Sequence, residues 1–420
     1  MGPLSPYKNP IFIILLLTIL LVAGCGQKAG EIPQNTVEKG VLDLERWDFE
    51  KHGTVKLEGD WEFYWMELLN PAELEDTQKQ PGYMSVPLTW SKSELTDFTN
   101  KGFATYRLKL KQINSGEEVL ALRIMPVYTA YKLWINGRLV AETGRVGEVA
   151  ADAIPKLMTK YLFFKNEKEV ELVFQVANLE YSRGGFLKGI ELGTQTQILK
   201  KRETVLAAEL FLCGALIMMS LYHFGLYLLR KKDASALFFG FFCLLIGTRT
   251  LLVGETFFNY LLPGVGLHKE LKLHAVILYL APVTFYLFIN SLYPREVSKM
   301  LLKLFAVVSV TGLVLSLILG TLYFGAMLSV YEIFISFYLF YLFWVLIKAL
   351  KKRREGALIA LAGYVILAAA TINDILFDYE LINTGYLVSL GLFLFIFSQA
   401  YLLSERFSMA FSKVEAIFPS

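Results

Sequence analysis

The stretch from Val205 to Leu229, VLAAELFLCGALIMMSLYHFGLYLL, is long and apolar enough to cross a lipid bilayer as one helix. Six further apolar runs of comparable length follow it. Because backbone amides find no water in hydrocarbon, spans this apolar must be helical and must pack together. The sequence therefore predicts an all-α seven-transmembrane bundle over residues 201–404. The six further runs are Ala236–Gly254, Leu271–Tyr293, Leu302–Leu322, Phe324–Leu346, Ala357–Phe377 and Gly385–Leu403.

Basic residues between these runs predict the orientation of the bundle. Eleven lysines and arginines lie on one side and five on the other. The richer side is expected in the cytoplasm, which places the N-terminal domain outside and Ser420 inside. We therefore expect a multi-pass protein of the bacterial inner (cytoplasmic) membrane. The eleven are Arg230, Lys231, Lys232, Arg295, Lys299, Lys303, Lys348, Lys351, Lys352, Arg353 and Arg354; the five are Lys200, Lys201, Arg202, Lys269 and Lys272.

The N-terminus has the pattern of an export signal. Lys8 precedes a short apolar core, Ile11–Val22, which is followed by Ala23-Gly24-Cys25. Small residues before a cysteine resemble the bacterial lipoprotein cleavage box, so residues 1–25 are interpreted as a lipoprotein-type signal sequence with Cys25 as the lipidated residue. The alternative is an uncleaved anchor with an incidental cysteine.

The composition is typical of a membrane protein that carries a soluble part. Mean hydropathy is +0.47, and 55% of the residues are hydrophobic. The formal net charge of +3 is accounted for by the cytoplasmic loops and gives no indication of nucleic acid as a partner. Besides Cys25, the cysteines are Cys213 and Cys243, both inside predicted spans. The exported domain is thus expected to have no disulfide and to be stabilised by its core.

Residues 26–200 carry strand patterns instead of helical ones. Alternation of apolar and polar residues from Ala104 to Lys111 predicts a strand with one buried face. Asn136-Gly137, between two such strands, predicts a tight hairpin because both turn residues need a positive φ. About eight short strands predict an antiparallel β sandwich or jelly roll outside the membrane. The other expected strands are Asp60–Trp65, Val119–Ile124, Tyr131–Ile135, Arg138–Ala141, Tyr161–Phe164, Val170–Val176 and Gly189–Leu192.

Several motifs carry a resemblance to a known family. Gly59–Trp65 (GDWEFYW), Val86–Trp90 (VPLTW), Gly102–Tyr106 (GFATY) and Leu133–Gly137 (LWING) follow one another in this order, and Phe397–Ala400 (FSQA) ends the bundle. Together they resemble bacterial seven-transmembrane receptors with diverse intracellular signalling modules. The β motifs are also similar to the sugar-binding domains of family 2 glycoside hydrolases. The resemblance implies a sensory jelly roll, a bundle that transmits a signal, and a cytoplasmic output module.

A sugar or another small extracytoplasmic molecule is the ligand that the resemblance implies. Aromatic rings suit the apolar faces of pyranoses, and Trp90, Tyr128 and Tyr131 lie near predicted turns, where they could form the rim of a site. The other tryptophans of this domain (Trp47, Trp61, Trp65 and Trp134) are interpreted as core. Scattered carboxylates such as Glu62, Glu142 and Glu180 are interpreted as solvated surface, although a glycosidase pair among them stays open. No catalytic residue, metal or cofactor is predicted, and the chain is not expected to be an enzyme.

Ionisable residues inside the predicted spans indicate function, because a charge in lipid is costly. Arg249, His274, Glu332 and Asp374 fall near the outer ends of four spans, whereas His223 lies toward the cytoplasm. We expect Arg249 to pair with Glu332 or Asp374 inside the bundle and to take part in transmembrane coupling. The alternative is that each side chain reaches interfacial water.

Two other functions for the bundle, an intramembrane enzyme and a transporter, have less support in the sequence. A seven-span zinc hydrolase would use three histidines, but His268 is in a loop and His223 is at a different depth from His274. A transporter would be expected to show broken helices or internal repeats, and neither is clear here.

The residues after the bundle have a heptad pattern. Leu403, Phe407, Ala410, Val414 and Ile417 are spaced as the apolar seam of a coiled coil, so residues 405–420 are interpreted as the start of a cytoplasmic signalling helix in a homodimer. The resemblance implies that an output domain follows such a helix, and we expect either that the chain is shortened or that a separate cytoplasmic kinase or cyclase supplies the output as a partner. The main alternative to a receptor is a membrane anchor or scaffold that holds an envelope partner without signalling.

Overall fold

The computed structural model describes residues 36–113, 119–229, 231–232, 234–319, 321–379, 381–382 and 384–399. A β-rich region comes first and a helical region follows it, as predicted. The signal sequence with Cys25 and the signalling helix 405–420 lie outside the described residues, so both stay predictions.

The β domain is built from fourteen strands in three sheets. The largest sheet has the order β10-β9-β12-β6-β3-β4, with β1 parallel to β6 and all other pairs antiparallel. The second sheet has the order β11-β7-β14-β2, and β5-β13-β8 forms a small third sheet. The strands are β1 Val41–Asp43, β2 Val55–Lys56, β3 Gly59–Trp65, β4 Gly82–Val86, β5 Leu88–Thr89, β6 Gly102–Lys111, β7 Val119–Ile124, β8 Val127–Tyr128, β9 Ala130–Ile135, β10 Arg138–Thr143, β11 Lys160–Lys165, β12 Glu169–Asn178, β13 Gly185–Phe186 and β14 Ile190–Thr194.

The strand predictions are confirmed, including the hairpin between β9 and β10. Asn136 and Gly137 have φ values of 48° and 76°, as a turn of this type requires. The alternating face of β6 forms the core: Tyr106 and Leu108 are buried against side chains of the second sheet such as Leu122. Thr105, on the opposite face, is also buried, because its hydroxyl hydrogen-bonds to the backbone of residues 67–69.

Ten helices are described, of which six are long and apolar enough to cross a membrane. The run predicted over Gly385–Leu403 contains an apolar helix from Val388 to Gln399, beyond which the chain is not described. The helices are α1 Phe49–His52, α2 Pro71–Asp76, α3 Gln195–Leu229, α4 Ala234–Leu252, α5 Phe258–Leu261, α6 Leu267–Leu292, α7 Lys299–Ile318, α8 Thr321–Lys351, α9 Ala357–Asp378 and α10 Val388–Gln399.

The first span continues directly from the β domain. Strand β14 ends at Thr194 and α3 begins at Gln195, well before the apolar run predicted from Val205. A reciprocal cap starts the helix: the Thr194 amide donates to Gln197 Oε1 (3.2 Å), and the Gln197 amide donates to Thr194 Oγ1 (3.3 Å). No flexible linker therefore separates the β domain from the bundle at this junction.

Candidate functional site

The connection between α4 and α5, residues 253–257, is bound to the β domain by a buried salt bridge. Arg123 on β7 donates to Glu255 with an Nη2–Oε1 distance of 2.8 Å, and both side chains are buried. Tyr161 on β11 donates its hydroxyl to the other oxygen of Glu255. Glu191 on β14 lies 3.7 Å from Arg123. Buried charges persist only when they are paired, so these contacts lock the connection against the second sheet.

The charges of this cluster are set by its surroundings. Burial acts against the charge of Arg123, but the nearby Glu255, Tyr161 and Glu191 raise its pKa above the ordinary value, and the guanidinium stays protonated. Burial also raises the pKa of Tyr161, so its hydroxyl remains a donor. Lys201 on α3 pairs with Glu191 at 2.7 Å. Two cations thus face two carboxylates across the junction of strand, helix and loop.

Further hydrogen bonds join the β domain to the connection between α4 and α5 and to α5 itself. The Thr159 amide donates to Thr256 Oγ1 at 3.2 Å, and its hydroxyl donates to the Gly254 carbonyl at 3.2 Å. Asn259 on α5 donates to the Leu157 carbonyl at 3.1 Å and also reaches Glu270 on α6 at 3.3 Å. The segment before β11 is therefore bound to two parts of the bundle.

A second contact joins the β domain to the end of α9. Lys188 Nζ donates to the Phe377 carbonyl at 2.7 Å and lies 3.4 Å from the centre of its ring. Arg183 Nη1 donates to the Asp378 carbonyl at 3.3 Å. Carbonyls at a helix C-terminus lack partners within the helix and attract cations. These two side chains therefore cap α9.

Between these contacts lies a cavity of about 280 Å³ that is bounded by both domains. Its walls are mainly apolar, with Leu187 on the β-domain side and Leu271 and Ile335 on the bundle side. We call it the interface cavity. The charged or titratable side chains that line it are Arg183, Lys188, Arg249, Glu270, His274, Glu332, Asp374 and Asp378, together with Tyr128, Tyr181, Tyr338, Tyr364 and Tyr386.

All four residues predicted for transmembrane coupling line this cavity. Arg249 pairs with Asp374, with an Nη1–Oδ2 distance of 3.0 Å, which links α4 to α9. Asp374 also accepts from the Leu387 amide at 2.6 Å, just before α10. Glu332 on α8 and His274 on α6 face the same space. The structure thus brings the four predicted side chains to one cavity beneath the β domain.

His223 lies elsewhere, as expected. Its Nδ1 is 2.9 Å from the Met219 carbonyl, within α3. Among the residues that the structure describes, no group of three or more His, Cys, Asp or Glu side chains could hold a metal ion.

The expected ligand-binding aromatics are separated by the structure. Tyr128 lines the interface cavity and stacks on Tyr181, with a distance of 5.4 Å between ring centroids. Trp90 and Tyr131 do not form a rim, and that expectation is corrected: both are completely buried in the β core. The Trp90 indole donates to the Tyr106 hydroxyl at 2.6 Å, which satisfies its polar atom in the apolar interior.

Sequence reasoning missed the residues that join the two domains. Arg123 stands in an apolar strand and Glu255 in a short connection, and neither pattern indicates a partner 132 residues away. The available signal was a single charge on the face of β7 opposite the core residues Leu120 and Leu122, a face that is otherwise apolar. Glu270 was likewise missed because it lies near a predicted loop.

Solved structures similar to this chain include glycoside hydrolases. A GH2 β-galacturonidase of Eisenbergiella tayi is 16% identical, with a TM-score of 0.25, over 33% of this chain and 24% of that enzyme. A Ruminococcus gnavus β-glucuronidase is 12% identical, with a TM-score of 0.25, over 33% and 27%. A GH2 member from Bacteroides cellulosilyticus is 17% identical, with a TM-score of 0.26, over 33% and 20%. The chain thus spans less than a third of each enzyme. No curated protein sequence matches it.

The bundle gives the clearer match. Residues 206–406 match the family model described as "7TM diverse intracellular signalling". The matched range contains about two thirds of α3 and every later described helix, so the chain is a multi-pass membrane protein of the class that the sequence motifs indicated. The membrane region of this chain is thus similar to the 7TM diverse intracellular signalling family over residues 206–406.

Proposed function

We propose that this protein is a signalling receptor of the bacterial cytoplasmic membrane, with the β domain outside as a jelly-roll sensor and seven spans that relay its state to a cytoplasmic output. The chain itself has no catalytic role in this proposal. Of the eleven basic residues, the ten that the structure describes lie in helix ends or connections at the end of the bundle away from the β domain, which supports this orientation. In this proposal the receptor is a homodimer, and a separate kinase or cyclase supplies its cytoplasmic output.

The observation that carries the proposal is the direct junction of β14 with α3. Because the Thr194–Gln197 cap joins strand to helix without a linker, a movement of the second sheet has to displace the start of the first span. The Arg123–Glu255 pair holds the start of α5 to the same sheet. A rigid connection at two places is what transmission of a movement requires.

The Arg249–Asp374 pair is the proposed two-state element. It joins α4 to α9 beneath the β domain, and Asp374 also holds the start of α10. Signalling states are set by elements with two discrete arrangements that a distant site can bias. In our proposal the pair is closed in one state and opened in the other.

A chimera tests this proposal. With a nucleotide cyclase fused after Ile417, Arg249→Ala should change basal cyclase output by about five-fold or more, the lower end of typical coupling. The exchange Arg249→Asp with Asp374→Arg should restore part of the change, because the pair is rebuilt. Lys272→Ala, an exposed cation at the same end of the bundle, is the control and should have no effect.

The scaffold alternative makes the opposite prediction. A protein that only anchors an envelope partner needs a stable fold but no coupling. Output that is unaffected by Arg249→Ala and by Arg123→Ala, with normal membrane insertion of both variants, would favour the scaffold.

A further inference from the structure

The interface cavity has the size and the walls of a site for a small molecule. A cavity of about 150 Å³ holds benzene, so 280 Å³ suits a molecule of about ten non-hydrogen atoms. Apolar groups form most of the surface. Such walls favour an apolar body and offer few partners to the many hydroxyls of a sugar.

One polar group in this cavity has an unused hydrogen-bonding atom. The Glu332 side chain is 5% exposed, and Tyr379 lies next to its carboxyl group. Its Oε2 has no hydrogen-bond partner among the described residues. Leaving a buried acceptor unsatisfied is costly, and a carboxylate in apolar surroundings is stabilised best by a cation.

The cations already present are engaged with other groups. Arg249 pairs with Asp374, while Arg183 and Lys188 donate to carbonyls at the end of α9. Three cations line the cavity against four carboxylates. A ligand with one positive charge would therefore balance the cavity and satisfy Glu332.

We infer that the interface cavity binds a small, mainly apolar molecule that carries a primary ammonium group, and that Glu332 Oε2 accepts from this group. The ammonium can belong to a free amine or to the headgroup of an aminophospholipid. The inference deepens the proposed function by giving a class of ligand, and it places that ligand between the sensor domain and the bundle. The test of this inference measures binding alone, so the ligand assignment can fail while the receptor proposal stands. The receptor proposal can likewise fail while the ligand assignment stands.

The test uses the full chain in phosphatidylcholine nanodiscs, with empty nanodiscs as the blank for partitioning into lipid. Three probes of similar size are titrated by calorimetry: phenethylamine, 2-phenylethanol and 3-phenylpropionate. Phenethylamine should bind at least about ten-fold more tightly than the other two. Equal binding of the amine and the alcohol would overturn the inference, since Glu332 would then simply hold a proton.

Variants locate the site. Glu332→Gln keeps the size of the side chain and should remove the preference for phenethylamine. Its control is Glu296→Gln at the other end of the bundle, which should keep the preference. Leu278→Trp fills the cavity and should abolish binding, whereas Leu302→Trp, a leucine packed elsewhere in the bundle, should not. Unchanged binding in Glu332→Gln or in Leu278→Trp would place the probe elsewhere and refute the assignment.

Nanodiscs that contain phosphatidylethanolamine separate the two sources of the ammonium group. Weaker binding of phenethylamine in these discs indicates that the lipid headgroup occupies the cavity. Unchanged binding indicates a free amine. Both results support the assigned ligand chemistry.

Discussion

The two ends of the helical bundle are built differently. The end facing the β domain holds a cavity, the Arg249–Asp374 pair and the Glu332 carboxylate, one oxygen of which has no hydrogen-bond partner among the described residues. The opposite end is filled by aromatic rings: Phe239 lies 4.6 Å from Phe288 and 5.8 Å from Phe395, centroid to centroid. Close packing resists movement, whereas ion pairs around a cavity can exchange partners. The comparison indicates that change is localised where the two domains meet.

Charges at the two ends also differ in burial. At the opposite end, Glu296 binds Lys352 and Arg354, both at 2.8 Å, and the two cations remain partly exposed. At the domain-facing end, Arg123 and Glu255 are both buried. Removal of one cation is thus expected to lower the free energy of unfolding little at the opposite end and much at the domain-facing end.

The largest loss of stability is expected when Arg123 is removed. Arg123→Ala leaves Glu255 buried without its cation, and the loss of one partner of a buried pair costs about 3–5 kcal/mol. We expect this decrease in the free energy of unfolding of the full chain, together with faster amide hydrogen exchange in residues 253–257. Hydrogen exchange followed by mass spectrometry reads the second effect.

Arg107→Ala is the control for this experiment. Arg107 pairs with Glu171 at 2.6 Å within the largest sheet, away from the bundle. It should destabilise the β domain without changing exchange in residues 253–257. If Arg123→Ala also leaves that exchange unchanged, the salt bridge does not hold the two domains together.

A smaller effect is expected from overfilling the packed end. A Cβ at Gly363 would meet Phe395 Cδ2 at 2.8 Å and Ser398 Oγ at 2.5 Å. Gly363→Leu should therefore lower the free energy of unfolding by about 1–3 kcal/mol, as insertion of carbon atoms into a packed core does. Thermal unfolding in nanodiscs measures the change.

Gly225→Leu is the matched variant on α3, where an added Cβ meets nothing within 4 Å. It should leave the stability unchanged or raise it slightly, because glycine is a poor helix former. Equal losses in the two variants would mean that the packed end is not more rigid than the lipid-facing surface.

The smallest effect is expected at Lys352, a half-exposed cation whose buried partner Glu296 also binds a second cation. Lys352 is 49% exposed on its side chain, and Arg354 stays bound to Glu296 when Lys352 is removed. Lys352→Ala should change the free energy of unfolding by less than about 1 kcal/mol. A loss as large as that of Arg123→Ala, in the same unfolding assay, would contradict the contrast between the two ends.

Much of the fold could be predicted because it depends on local patterns. The alternation in β6 and the Asn136-Gly137 turn gave the strands correctly, and six of the seven apolar runs coincide with described helices long enough to cross a membrane. The early start of α3 was also readable, since Thr194 and Gln197 stand at the spacing of a capping box. It was missed because the run of charges at residues 200–202 interrupts the apolar pattern.

The sequence by itself determined which segments are strands, which are membrane helices and which side chains are charged inside the spans, because these properties depend on period and on neighbours along the chain. Only the tertiary structure decided the partners. The rotation of each helix sets Arg249 against Asp374 and leaves one oxygen of Glu332 without a hydrogen-bond partner among the described residues. The docking of the β domain buries Arg123 on Glu255. These pairs join positions more than a hundred residues apart, so their formation depends on how whole elements pack and not on any local pattern.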